Sequence, residues 1–167
     1  MKTKILIIFL FLIANAKLVS GQDTIKPEKS FKHYVGFGAG FTTGYGISYR
    51  IEMGKMGAQF NFGPLSVPGD YTTLSLGLTM LMRMSSGENS NLFLYLGNHA
   101  QFKRDHYQSK NGYHTYNDSW KYNSGIGIDV ELNAKRKVVF NIMGGIGVYD
   151  SYDMISLTGE IGLHYRL

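Results

Sequence analysis

From residue 33 to the C-terminus, apolar and polar positions alternate with a period of two, interrupted by short stretches rich in glycine, asparagine and serine. That period puts successive side chains on opposite faces of a strand. Eight strands are predicted, at 33–41, 45–53, 55–63, 72–83, 92–103, 120–132, 138–148 and 154–167. The second alternates most cleanly, with Tyr45, Ile47, Tyr49, Ile51 and Met53 against Gly46, Ser48, Arg50 and Glu52. In the fourth, Leu81 breaks the pattern. Pro64 and Pro68 are expected to end the third, because proline cannot donate to a ladder. Thr42, Thr43 and Gly44 read as a tight turn, 85–91 as a loop, and 104–119 as the longest loop. No stretch reads as a convincing helix, and no strict internal repeat is present. An antiparallel up-and-down meander of eight strands can close on itself and leave no open edge.

Composition agrees with an all-β chain. Glycine is abundant at 21 of 167 residues and proline scarce at 3. Helical bundles avoid that much glycine, since each interior Gly costs about 0.5–1 kcal/mol relative to Ala. The absence of Cys excludes disulfides, thiolate metal sites and an N-terminal lipid anchor on Cys. Residues 1–21 read as a signal peptide: Lys2 and Lys4 precede an apolar run that is too short for a bilayer anchor, and small residues follow. Residues 22–32, polar and carrying Pro27, read as a flexible periplasmic leader. Removing residues 1–21 takes away three lysines and no acid, so the net charge falls from +5 to +2. The basic balance is therefore no argument for nucleic acid.

Alternation alone does not say which face points inward. A soluble lipid-binding barrel buries its apolar face, whereas a membrane barrel turns it to lipid. Three features favour the membrane. The polar face is rich in glycine, which suits a crowded interior. Its charges, Arg50, Glu52, Arg83, Asp129, Glu131, Glu160 and Arg166, are sparse and nearly balanced. With a periplasmic N-terminus, Phe41, Tyr45, Phe62, Phe102, Trp120 and Tyr122 fall near the extracellular strand ends on the apolar face, as an aromatic girdle.

Gly162, Tyr165 and the terminal Leu167 form a glycine, x, x, aromatic, x, hydrophobic pattern. It resembles the C-terminal signal by which the outer-membrane barrel-assembly machinery captures a final strand, with Leu in place of the usual Phe. With the eight strands, residues 33–167 resemble the small transmembrane β-barrels of the OmpX and OmpA transmembrane-domain type. The resemblance implies residence in the bacterial outer membrane, with its lipid and its assembly machinery as partners.

Inward charges in a low-dielectric lumen must pair or be hydrated. Arg50 with Glu52, Glu160 and Arg166 is a candidate salt-bridge network that plugs the lumen, as in the OmpA-type barrel. The lumen glycines leave room for water, so a narrow pore for small solutes is the alternative. Tyr107, Tyr113 and Tyr116 in the long loop suit contact with an extracellular protein or glycan. No metal-ligand spacing and no cofactor motif is present. A lipid A-modifying enzyme needs a nucleophile and a histidine together near the outer leaflet. Ser124 is lipid-facing by parity but His99 points inward, while Glu160 and His164 stand about 13 Å apart along a strand. A non-enzymatic envelope role follows.

Overall fold

The computed structural model describes residues 31–67, 71–108, 114–150 and 153–167. The expected signal peptide and residues 22–30 of the leader lie outside them. Eight strands run in chain order: β1 (Phe31–Gly40), β2 (Gly44–Met53), β3 (Met56–Val67), β4 (Tyr71–Ser86), β5 (Ser90–Gln108), β6 (His114–Leu132), β7 (Val138–Tyr149) and β8 (Met154–Arg166). Each pairs antiparallel with the next, and β1 pairs with β8 from Tyr34↔Arg166 to Gly40↔Glu160, closing the barrel.

The alternation sorts as a membrane barrel requires. Outside stand Phe37, Ile47, Leu78, Ile126, Ile142 and Ile161 among many exposed apolar residues, while Ser48, Arg50, Gln59, Asn61, Asp129, Glu131 and Asn141 are buried inside. Short connections at 54–55, 87–89 and 133–137 mark one end, and the tall β5–β6 hairpin marks the other. In outer-membrane barrels short turns are periplasmic and long hairpins extracellular, and the two ends of this barrel are named in that sense below.

Three boundaries differ from expectation. β1 starts at Phe31, because β2 runs down to Met53 and offers Phe31 and Lys32 ladder partners. β3 continues through Pro64 to Val67. It can do so because β2 leaves the ladder at Ile47↔Phe62, so the missing N–H of Pro64 removes no bond to β2. The predicted 104–119 loop is mostly ladder, with Arg104↔Asp118 through Gln108↔His114 extending β5 and β6 upward. Above the lipid both faces are wet, so no apolar alternation marks those strands.

Leu81, the exception in β4, turns inward and packs with Phe93, Tyr95 and Met143. A register shift between Arg83 and Ser85 lies just below it.

Candidate functional site

The lumen is built in layers. In the central layer Arg50 of β2, only 1% exposed, reaches across to β6 and forms ion pairs with Asp129 and with Glu131, the latter at 3.2 Å. Its Nε donates to Gln59 Oε1 at 3.1 Å, and Gln59 Nε2 donates to Glu160 Oε1 at 2.6 Å. Asn91 Nδ2 donates to Glu131 Oε1 at 2.8 Å. Glu52 pairs with Arg83. The Phe93 ring lies between the two guanidiniums, 5.5 Å from that of Arg50 and 5.2 Å from that of Arg83.

This pairing differs from the expected grouping of Arg50 with Glu52, Glu160 and Arg166. β2 and β6 stand opposite each other in an eight-stranded ring, and the interior is just wide enough for side chains to meet across it. A long arginine therefore meets the far wall, while Glu52, two residues along the same strand, meets Arg83. Arg166 sits at the periplasmic end, its guanidinium 5.6 Å above the Tyr34 ring.

Above the ionic layer the chain itself enters the barrel. Thr42 and Thr43, between β1 and β2, are 1% exposed. Thr42 Oγ1 bonds Thr158 Oγ1 at 2.9 Å, and Asn61 Nδ2 donates to the Thr43 and Gly44 carbonyls at 3.0 and 3.2 Å. Glycines on four strands make the room. A Cβ at Gly77 would collide with the Thr43 carbonyl, one at Gly97 would lie 2.8 Å from the Thr42 carbonyl, and one at Gly125 2.6 Å from Thr42 Oγ1. One at Gly147 would lie 2.8 Å from Thr42 Cγ2. The space these glycines leave is occupied by the turn. Sequence reasoning missed this, although glycines at inward positions on four consecutive strands were a visible sign that backbone approaches there.

The turn is held at its shoulders. His99 Nδ1 donates to the Phe41 carbonyl at 2.9 Å, which leaves Nε2 to accept from Ser75 Oγ at 3.0 Å. Ser75 Oγ accepts in turn from the Tyr45 N–H at 3.0 Å. Tyr45 is consequently not part of the outward girdle: its hydroxyl bonds Thr73 Oγ1 at 2.8 Å and its ring meets His99 edge-on at 6.0 Å, both inside. The cause is backbone. Gly44 and Gly46 take φ of +81° and +119°, which swing the start of β2 inward and break the parity that held from Ile47 onward.

The other girdle residues face outward. Phe102 and Trp120 meet at a tilt of 50° with centroids 5.1 Å apart, and Tyr122 lies nearly parallel to Trp120 at 6.2 Å. Phe41 meets Tyr149 edge-on at 6.5 Å, and Phe62 lies exposed on β3. In the extracellular hairpin Arg104 and Asp118 form a two-bond ion pair, 2.7 Å at each contact. That hydrogen bonding holds the Asp118 carboxyl below the ordinary aspartate range. Arg104 also lies over the Phe102 and Tyr116 rings. Tyr107 pairs with Thr115 in the ladder, and Tyr113 lies outside the described residues. In β8, Gly162 lies beneath the Asn141 side chain, Lys137 covers the outward Tyr165 ring at 5.9 Å, and the Leu167 N–H donates to the His33 carbonyl at 2.9 Å.

A closed antiparallel barrel with an apolar exterior and a polar, packed interior satisfies every requirement for crossing a bilayer in strands. The chain has the fold of an eight-stranded outer-membrane β-barrel. It superposes on the N-terminal β-barrel domain of Pseudomonas aeruginosa OprF with a TM-score of 0.53 at 10% identity, covering 83% of this chain and 98% of that one. It superposes on a major outer membrane protein from Thermus thermophilus with a TM-score of 0.50 at 15% identity, covering 83% and 100%. At these identities the likeness is one of fold. No protein-family model matches the chain, and no curated protein sequence is significantly similar to it.

Proposed function

We propose that this barrel is closed to solutes and serves the envelope as a structural component whose contacts are made by its extracellular hairpin. The observation that carries this reading is the Thr42–Thr43 turn, seated against the glycines of β4 to β7 directly above the Arg50, Asp129 and Glu131 layer. Two stacked layers, one of backbone and one of paired charge, support closure at both levels. The hairpin supplies the outward contact: Tyr116 is 61% exposed beside Arg104, the aromatic and arginine pairing common in recognition surfaces. An extracellular protein or glycan is the class of partner it fits.

A catalytic role has little support. Ser124 Oγ donates to Asn98 Oδ1 on the lipid face, while His99 is buried inside with both ring nitrogens engaged. The two histidine–serine contacts inside, His99 with Ser75 and His164 with Ser48 at 2.8 Å, are on the lumen side of the wall, away from Ser124.

The test is conductance of the purified full chain in a planar bilayer. Closure predicts no unit current steps under a steady applied potential. Reproducible ohmic steps in the folded, heat-modifiable protein would instead establish the narrow-pore alternative.

A further inference from the structure

The extracellular rim is uneven. β1 stops at Gly40 and β2 starts at Gly44, while β3 continues five residues beyond Phe62, its last residue to pair with β2. On the other side β8 begins at Met154, six residues before Glu160, the last residue to pair with β1. The wall is therefore low over the β1–β2 hairpin and flanked by two open strand edges. From β3 to β8 across the missing pair is three strand spacings, about 14 Å. The hairpin tip does not fill the gap, because it is turned into the lumen.

A cavity of about 460 Å³ occupies this opening. Its lining joins two surfaces that a complete wall would separate. Ala39 belongs to the outward row of Val35 and Phe37, whereas Gln101 and Asn123 lie on the inward rows of β5 and β6. One cavity touches the lipid face at its lip and the lumen face at its far end, so it is open sideways to the membrane. The lip is apolar, with Ala39 and Phe41 in the lining and Ile155 and Leu157 of the β8 edge beside it, 74% and 81% exposed. The far end carries the amides of Gln101 and Asn123 beside Tyr45 and the His99 imidazole, and among the described residues no lysine, arginine or carboxylate lines the cavity. Its depth fits as well: Gln101 adjoins the Phe102↔Trp120 pair of the aromatic belt, the level where lipid chains meet their polar heads.

We propose that this side opening binds the acyl chain of an outer-leaflet amphiphile. The chain enters over Ala39 between the edges of β3 and β8, and its uncharged polar end, a hydroxyl, ester or amide, meets Gln101 and Asn123. The volume lies within the range of small-molecule pockets, and the arrangement of an apolar body with a few polar groups at one end is theirs. An anionic head finds no cation among the described residues of the lining.

Native mass spectrometry of the full chain in amphipol, with 1-lauroylglycerol as the probe, tests this. The wild type should retain one probe molecule per barrel. Ala39→Trp, which fills the lip from the lipid side, and Gln101→Leu, which removes the polar end, should each lower retention at least tenfold. Phe37→Trp, on the same outward row but outside this cavity, should leave retention unchanged, and unboiled gel mobility checks that each barrel is folded. Absence of retention by the wild type, or equal retention by all four folded proteins, would overturn the assignment.

Discussion

Arg50→Met isolates the ionic layer. Methionine keeps most of the length and apolar stem of arginine, so the change is chiefly electrostatic. The wild-type guanidinium is 1% exposed and faces two carboxylates that are 0% exposed, Asp129 and Glu131. Without it both carboxylates are buried and uncompensated, which costs about 3–5 kcal/mol when one partner of a buried pair is removed. For a domain of this size that corresponds to a fall in midpoint of roughly 10–15 °C. The assay is the temperature at which the compact form on SDS gels converts to the unfolded mobility, compared with wild type. The triple variant Arg50→Met, Asp129→Asn, Glu131→Gln removes the stranded charge as well as the arginine and should recover most of the loss. A triple variant as weak as the single one would refute the reasoning and move the stabilisation to the packing of the guanidinium on Phe93. A single variant within about 1 kcal/mol of wild type would mean that the layer is hydrated.

Gly77→Val should unseat the Thr42–Thr43 turn, since even a Cβ there collides with the Thr43 carbonyl. The expected result is a loss of about 1–3 kcal/mol from overpacking, read from the same gel transition, with an increase in bilayer conductance. Phe93→Ala removes the ring between Arg50 and Arg83 and should cost about 3–5 kcal/mol, seen as a lower heat-conversion midpoint. At the hairpin, the depressed pKa of Asp118 makes its pairing with Arg104 fully effective above the ordinary aspartate value of about 3.9 and weaker as pH falls through the folded value. Protection of the amides in the upper β5–β6 ladder, corrected for the intrinsic exchange rate at each pH, should therefore fall in acid, and Asp118→Asn should abolish that fall.

Strand number and order, and the face that each strand turns outward, were legible because one face meets lipid, and lipid enforces the period of two over most of the membrane-spanning length. Where lipid ends, so does the signal. The upper halves of β5 and β6 are wet on both faces, and Arg104 to Gln108 look like loop although they are paired. Tyr45 failed for a different reason: parity assumes regular backbone, and the positive φ of Gly44 and Gly46 breaks it just where the turn folds in. The inward charges could be named from alternation, but not matched. Partner choice depends on which strands face each other across the ring, a property of closure that no local pattern carries. Phe93 was hidden between two outward leucines, Leu92 and Leu94, where an uninterrupted apolar run masks an inward aromatic residue.

The inward turn also bears on how the barrel is made. Thr42 meets Thr158, and Ser48 meets His164, in each case across 116 residues of chain, and Arg50 meets Asp129 across 79. The first hairpin to be synthesised thus takes part of its seat from the last strand to arrive. A chain truncated before β8 lacks Thr158 and so loses the Thr42–Thr158 bond, although Asn61, His99 and the glycines of β4 to β7 remain. The contacts that hold the first hairpin are therefore complete only when the last strand has closed the ring.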